Sequence, residues 1–143
     1  GSRELIAWLI NRARSFIYTT GVPPAVAASA LAALDLVARE PERRQQLWEN
    51  AAFLRQGLAT LGYKIGPTQS PILPVLVGDA QPTMALADAL LQRGVFAHGI
   101  RPPTVPAGTS RLRVTPMATH SRAQLTRALE MFAAAGKELG ILA

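Results

Sequence analysis

Apolar residues near the start of the chain recur at intervals of three and four, the spacing of a helix that buries one face. Over residues 3–14 this spacing predicts a short helix, and Ser2 directly before it is a possible N-cap. The next stretch, residues 15–20, has the sequence Ser-Phe-Ile-Tyr-Thr-Thr and is predicted to be extended.

Two longer helices are predicted to follow. Pro23-Pro24 supplies proline for a helix start, and the alanine- and leucine-rich run behind it predicts a helix to about Arg39. After Pro41, leucines at spacings of three and four predict a second amphipathic helix, for which Gly62 is a natural stop. The alanine-rich helix should allow another backbone to approach closely, which favours a packed or intersubunit position.

Beyond residue 70 the pattern changes to short apolar runs and further helices, in the order β-α-β-β-α. Pro74 inside the first run indicates a strand at a sheet edge or a bulge. This order predicts an α/β fold, an α+β two-layer sandwich in which helices cover a three-stranded, mainly antiparallel sheet. The predicted elements are strands at 72–77, 95–100 and 111–115, a helix from Pro82 to Gly94, and a final helix from the capping box Ser121-x-x-Gln124 to about residue 139.

Composition narrows the class of protein. With 143 residues and 49% hydrophobic side chains the chain can bury a core, yet it has no apolar run near the ~20 residues that span a bilayer. The absence of cysteine excludes disulfides and thiol catalysis and fits a reducing compartment, so we expect a cytoplasmic protein. The net charge of +6 is spread without Lys/Arg runs or interleaved aromatic residues, which disfavours a nucleic-acid partner.

The most informative stretch joins the last two predicted strands. Residues 101–110 contain three prolines and a glycine, so we expect a stiff, extended connection that costs little to order around a ligand. In the strand that follows, alternation places Arg111 and Arg113 on one face and Leu112 and Val114 on the other. An arginine held beside a stiff loop can bind a carboxylate through its planar fork, although a solvated surface arginine is the commoner role in an Arg-x-Arg pattern.

Other candidate groups are sparse. Thr19 and Thr20 precede a predicted helix N-terminus, where hydroxyls can bind a phosphate, but simple capping explains an isolated Thr-Thr pair better. His98 and His120 are too isolated in sequence to suggest a metal site, and His120 beside the capping box fits a structural role. The sequence has no GxGxxG, no P-loop and no serine in a nucleophile elbow.

Several short motifs follow one another along the chain. They are Arg14-Ser15-Phe16-Ile17-Tyr18-Thr19-Thr20 with Pro23-Pro24-Ala25, Glu42-Arg43-Arg44 with Leu47-Trp48-Glu49-Asn50, Ser70-Pro71-Ile72, Ile100-Arg101-Pro102-Pro103-Thr104-Val105-Pro106, and Thr119-His120. Their order resembles the C-terminal part of the α-oxoamine synthases, fold type I pyridoxal-phosphate enzymes that condense an amino acid with an acyl thioester and release CO2. The resemblance spans essentially the whole chain.

Within that family the proline loop is most similar to the loop of the biotin-pathway member, which joins alanine to a pimeloyl thioester. Members of the glycine C-acetyltransferase and 5-aminolevulinate synthase types share the Arg-x-Arg strand and stay as alternatives. The resemblance therefore implies a transferase that uses pyridoxal 5'-phosphate and acts as a homodimer on small-molecule substrates.

The resemblance also implies roles for individual residues. Arg113 matches the arginine that holds the amino-acid carboxylate. Thr19 and Thr20 match the hydroxyl pair that reaches the cofactor phosphate of the neighbouring subunit. Thr104 and Arg101 fall in the loop that lines the acyl side of the site.

One part of the family's machinery has no counterpart in this sequence. The family's Schiff-base lysine lies upstream of the region that matches, and neither Lys64 nor Lys137 has the buried setting that such a lysine needs. We therefore expect residues 1–61 to be a helical segment from the end of the large cofactor-binding domain and residues 62–143 to be the small C-terminal domain. A chain of this kind, which opens inside an element as if cut from something longer, should be inactive alone.

Two classes of function stay open at this point. One is a part of an amino-acid-condensing pyridoxal-phosphate enzyme whose site is completed elsewhere. The other is a stand-alone module that binds a carboxylate ligand through Arg101, Arg111 and Arg113 without catalysis. A nucleic-acid binder is a third and weaker alternative.

Overall fold

The computed structural model describes residues 1–142, which fall into two compact units, Gly1–Glu40 and the chain from Pro41 onward. The boundary between compact units lies before the helix Glu42–Thr60, because Leu54 and Leu58 of that helix are buried in the core of the second unit. The assignment of residues 1–61 to the end of a larger domain stays a prediction.

The first unit is helical. Helix α1 (Arg3–Arg12) begins at the predicted N-cap, where the Ser2 hydroxyl accepts a hydrogen bond of 3.3 Å from the Leu5 backbone N–H. Helix α3 (Pro24–Arg39) begins on proline, as the sequence predicted. Proline suits the first position of a helix because the N–H it lacks would have no partner there.

Between these helices, residues 15–20 were predicted to be extended, and this prediction is wrong for residues 15–17, which are helical. Helix α2 (Arg14–Ile17) is one helical turn, which the Tyr18 N–H closes by donating to the Arg14 carbonyl at 3.0 Å. Within the unit no strand offers partners to this stretch in the described residues, so its backbone groups pair locally.

In the second unit, helix α4 (Glu42–Thr60) ends where the sequence predicted. Gly62 has a φ of +102°, a left-handed conformation that glycine adopts without strain. This turn lets the Tyr63 N–H donate to the Leu58 carbonyl at 3.0 Å, which satisfies one of the last carbonyls of the helix.

The predicted fold class is confirmed, with one strand more than expected in the described residues. Lys64 and Ile65 pair with Leu76 and Val75, and a two-residue strand is too short to produce a hydrophobic pattern. The strands in residues 1–142 are β1 (Lys64–Ile65), β2 (Leu73–Gly78), β3 (His98–Ile100) and β4 (Ser110–Val114). Their three pairings are antiparallel, in the order β1-β2-β4-β3.

Pro74 does not mark an edge strand, because β2 lies between β1 and β4. Strand β1 ends at Ile65, opposite Val75, so it stops one residue short of Pro74 and the missing N–H is tolerated. The Pro74 carbonyl accepts a hydrogen bond of 2.8 Å from the Gly66 N–H. The register between β2 and β4 shifts further along, between Leu76 and Gly78.

Three helices pack on one face of the sheet, namely α4, α5 (Ala80–Gln92) and α6 (Arg122–Glu138). Helix α6 begins with the predicted capping box: Gln124 N–H donates to the Ser121 hydroxyl, and the Ser121 N–H donates to the Gln124 side chain. Among the described residues, every helix is too short or too polar to cross a membrane. The largest fully buried core side chains are Leu58, Leu73, Leu86, Leu90, Leu112 and Phe132.

Candidate functional site

The basic residues on the strands of the second unit share the sheet face that is turned away from α4, α5 and α6. Paired residues on neighbouring strands point to the same face, and alternation along β4 buries Leu112 while leaving the arginines outside. We call this surface the open face, and its two rows across the strands are His98, Arg113 and Pro74, and Ile100, Arg111, Leu76 and Lys64.

The predicted alternation along β4 is therefore confirmed, and the two arginines differ in their surroundings. Arg113 is exposed, whereas Arg111 is half-buried and donates through Nε to the Thr109 carbonyl at 2.9 Å. Within residues 1–142, no carboxylate lies at ion-pair distance from either guanidinium group. Both positive charges are thus available to an anion.

A small groove of about 250 Å³ lies beside Arg113, and we call it the Arg113 groove. Arg111 and Arg113 line it together with Thr68 and Ser70, whose hydroxyls lie 3.0 Å apart. The apolar part of its lining comes largely from proline and isoleucine. The groove therefore combines guanidinium and hydroxyl groups with apolar side chains. A small carboxylate with a short aliphatic part fits these surroundings.

Thr68 and Ser70 were not singled out as site residues from the sequence. The Ser70 hydroxyl accepts a hydrogen bond of 3.2 Å from the Ile72 N–H, and the Thr68 hydroxyl accepts one of 3.1 Å from the Ser70 N–H. These local turns present both hydroxyls to the groove. The only sequence signal was the motif Ser70-Pro71-Ile72, which carried no assigned role.

The proline loop is not the extended connection that the sequence predicted. It forms two turns, in which the Thr104 N–H donates to the Arg101 carbonyl at 3.1 Å and the Thr109 N–H donates to the Pro106 carbonyl at 3.2 Å. Proline fixes φ at a value that suits turns as well as extended chain. Arg101 and Thr104 are both exposed, and neither lines the Arg113 groove.

Arg101 has one contact that orients it. A terminal nitrogen of its guanidinium group lies 3.4 Å from the Met84 sulfur on α5. Gly99 permits this arrangement, because a Cβ at that position would meet the same sulfur at 2.7 Å.

Thr19 and Thr20 belong to the first unit, where they follow α2 and precede the first residue of α3, Pro24. Both side chains are exposed, and within the described residues neither hydroxyl has a hydrogen-bond partner. They are therefore free to bind a ligand, and neither caps α3, whose N-cap is Pro23.

The two histidines lie in different surroundings. His98 is exposed on β3 beside Arg113, whereas the His120 Nδ1 accepts a hydrogen bond of 3.1 Å from the Met117 N–H and closes a turn. In the part of the chain that the structure describes, no three His, Asp or Glu residues are grouped to hold a metal ion.

Comparison with known sequences matches the family described as Aminotransferase class I and II over residues 1–132. The chain is 50% identical over 144 residues to 8-amino-7-oxononanoate synthase of Geobacter metallireducens, covering 99% of this chain and 37% of that protein. It is 46% identical over 142 residues to the Thermus thermophilus protein named 8-amino-7-oxononanoate synthase/2-amino-3-ketobutyrate coenzyme A ligase, covering 99% and 36%. The chain thus spans little more than a third of the length of these curated relatives.

Two solved enzyme structures share the fold of this chain. Serine palmitoyltransferase of Sphingomonas wittichii superposes with a TM-score of 0.93 at 34% identity, over 99% of this chain and 36% of that one. The 8-amino-7-oxononanoate synthase of Francisella tularensis superposes with a TM-score of 0.79 at 25% identity, over 96% and 40%.

Proposed function

The chain belongs to the aminotransferase class I and II family, and we propose that it forms part of a pyridoxal 5'-phosphate-dependent acyltransferase that joins an amino acid to an acyl thioester with loss of CO2. The names of the relatives confirm the resemblance to the α-oxoamine synthases. The proposed reaction is that of 8-amino-7-oxononanoate synthase, in which L-alanine is joined to a pimeloyl thioester carried by coenzyme A or by acyl carrier protein.

The Arg113 groove carries this proposal. The Arg113 guanidinium group has no carboxylate partner in residues 1–142, and it stands on a strand whose other face is locked into the core by Leu112 and Val114. A charge held in this way can bind the amino-acid carboxylate bidentately without reorganising the sheet. The hydroxyls of Thr68 and Ser70 are placed to complete the polar side of the groove.

The residues of the chain fit one end of the cofactor. The free, exposed hydroxyls of Thr19 and Thr20 would hold the phosphate of the cofactor. In the assembled enzyme this cofactor would be the one bound to the neighbouring subunit. When bound, the cofactor withdraws electrons from the amino-acid substrate. Lys64 and Lys137 are exposed and do not offer the buried amine that would anchor it covalently.

The remaining assignments follow the same proposal. Arg101 and Thr104 would line the acyl side, with Arg101 oriented by its contact with Met84. A homodimer is proposed because the first unit exposes large apolar side chains, among them Trp8, Phe16 and Leu34, that another subunit could cover.

A chimera tests the proposed reaction. The aligned segment of the Geobacter metallireducens enzyme is replaced by this chain, and product formation is measured with alanine and a pimeloyl thioester. We expect activity with this pair to exceed activity with glycine and acetyl or succinyl thioesters, or with serine and a palmitoyl thioester. In the chimera, Arg113→Ala should raise the KM for alanine by about 30-fold or more, because a charge-assisted bidentate pair is worth roughly 2–4 kcal/mol.

Arg127→Ala is the matched control, since this exposed arginine lies on α6 and outside the Arg113 groove. An unchanged KM for alanine in Arg113→Ala would remove Arg113 from the carboxylate site. A well-folded chimera that is inactive with every substrate pair, while the chain alone binds acetate, would instead favour a carboxylate-binding module. Sedimentation of the chimera as a monomer would contradict the proposed homodimer.

A further inference from the structure

We propose that the open face holds a second anion site, between Lys64 and Arg111, that binds a phosphate monoester. It lies in a concavity of about 470 Å³ beside the Arg113 groove, and Arg113 is not among the residues that line it. The site goes beyond the proposed function. Phosphate binding alone tests it, whether or not the chain is part of a transferase.

The strand pairing brings the two cations to one place. Lys64 on β1 pairs with Leu76 on β2, and Leu76 pairs with Arg111 on β4. The three side chains therefore point to the same face, with Leu76 in the middle. Two interstrand spacings of about 4.8 Å separate the cationic strands, a gap that two long side chains can close over Leu76.

The charge in this concavity is unbalanced. Lys64 and Arg111 both line it, and none of the other residues that line it is acidic. Within residues 1–142 neither cation has an ion-pair partner. A bound anion would therefore meet two uncompensated positive charges.

The geometry of Arg111 favours a multi-oxygen anion. Its Nε donates to the Thr109 carbonyl at 2.9 Å, which fixes the plane of the guanidinium group and leaves the two terminal nitrogens to a ligand. A phosphate monoester carries close to two negative charges at neutral pH and three acceptor oxygens. It can accept from the guanidinium fork and from the ammonium group together, whereas a carboxylate matches only one of the two cations.

The other surfaces of the concavity suit an ester rather than inorganic phosphate alone. Leu76, Pro67 and Pro74 give the concavity apolar surface, and Gly66, Gly78 and Gly108 line it without side chains. An organic group attached to the phosphate can pack against Leu76 and the two prolines. The inferred ligand thus has a phosphate head and a small apolar body.

The site is tested on the 143-residue chain by titration with phenyl phosphate, inorganic phosphate and acetate, followed by amide NMR and calorimetry. We expect phenyl phosphate to bind more tightly than inorganic phosphate, acetate to bind more weakly than either, and shifts to centre on the amides of Gly66, Gly78 and Gly108. Lys64→Gln and Arg111→Gln should each weaken phenyl phosphate binding by about tenfold, because each removes one charged donor.

Lys137→Gln and Arg127→Gln on α6 are the matched controls, and Arg113→Gln reports on the neighbouring groove; each should change the affinity by less than about twofold. Lys64 is exposed on a two-residue edge strand, so its variant keeps the test decisive if Arg111→Gln disturbs the fold. Three results would each overturn the site: acetate shifting the amides of Gly66, Gly78 and Gly108 with the same affinity as phenyl phosphate, absence of binding at millimolar phenyl phosphate, or a loss caused by Arg113→Gln and not by the Lys64 and Arg111 variants.

Discussion

The Tyr63 side chain is 5% exposed, and its hydroxyl donates a hydrogen bond of 2.8 Å to the Phe132 carbonyl. The two rings also meet edge to face, with centroids 5.6 Å apart. Burial raises the pKa of Tyr63 to about 12. This residue therefore ties the turn after α4 to the middle of α6 only while its hydroxyl stays protonated.

Alkaline unfolding tests this coupling. The folded-state pKa of Tyr63 lies above the unfolded value of about 10, so its contribution is complete below pH 10 and is lost between pH 10 and 12. Two pKa units correspond to about 3 kcal/mol. Tyr63→Phe should lower the free energy of unfolding by about 1 kcal/mol at neutral pH, because the hydrogen bond is lost. Between pH 10 and 12 the free energy of unfolding of the variant should fall less than that of wild type.

Tyr18→Phe is the control, because Tyr18 is 77% exposed and should leave both measurements unchanged. The free energy of unfolding is followed by urea denaturation at each pH. Parallel losses of stability in wild type and Tyr63→Phe between pH 10 and 12 would show that the pKa of the Tyr63 hydroxyl is the same in the folded and unfolded states.

Thr19 and Thr20 allow a test of the proposed cofactor contact. In the chimera, replacing both with alanine should weaken retention of pyridoxal 5'-phosphate by about tenfold or more, because two hydrogen bonds to a charged phosphate are lost. The KM for alanine should change far less. Thr126→Ala on α6 is the control, and a cofactor dissociation constant equal to that of the unmutated chimera would exclude both threonines from the site.

At the residue scale, the open face was accessible to sequence reasoning because alternation along a strand has a fixed period of two. Arg111 and Arg113 could therefore be assigned to one face from the sequence alone. The hydrogen-bond partner of Arg111 could not be predicted, because the Thr109 carbonyl reaches it only through the turn that ends the proline loop. Lys64 was missed as a neighbour because the strand that carries it has two residues.

At the scale of elements, a single buried amide links α4 to the segment that leads into α6. Asn50 is 1% exposed, and its Nδ2 donates to the carbonyls of Met117 at 2.9 Å and His120 at 3.1 Å. These carbonyls belong to the segment between β4 and α6, which the His120 imidazole also closes through the Met117 N–H. One helix thus fixes the turn that leads into another.

Asn50→Ala should lower the free energy of unfolding by about 1–3 kcal/mol, because the carbonyls of Met117 and His120 both lose the buried amide that donates to them. Asn50→Asp should be destabilising as well, since it supplies no N–H in the ionised form. Gln46→Ala is the control: Gln46 only donates to the Asn50 Oδ1 at 3.0 Å, so its loss should cost about 1 kcal/mol or less. Equal urea midpoints for Asn50→Ala and Gln46→Ala would contradict this account.

Helix ends and the succession of strands and helices along the chain after residue 70 could be predicted because capping residues, prolines and glycines act on their nearest neighbours. The capping box at Ser121 and the stop at Gly62 are examples. The conformations of residues 15–20 and of the proline loop could not be predicted, because local hydrogen bonds decide between an extended chain and a turn. The partners of Asn50 are more than sixty residues away in sequence and leave no local trace.

At the scale of the whole chain, the two units differ in what they bury. The helices of Gly1–Glu40 bury none of their residues, whereas the second unit has a continuous apolar core beneath its sheet. The core explains why the second unit can present charged groups on a fixed frame. The proposed catalytic function, however, needs a buried lysine that holds the cofactor, and Lys64 and Lys137 are both exposed.

The final prediction concerns the 143-residue chain mixed with pyridoxal 5'-phosphate. Lys64 lies on an edge strand and Lys137 near the end of α6, and both are exposed, so water competes for any covalent adduct at either amine. We expect no absorption band that survives dialysis and no product from alanine and a pimeloyl thioester, whereas the chimera should retain the cofactor. Borohydride trapping and peptide mapping check the assignment. A dialysis-resistant adduct mapped to Lys64 or Lys137 would mean that the chain anchors the cofactor itself, and the proposal of a site completed by other residues would then be wrong.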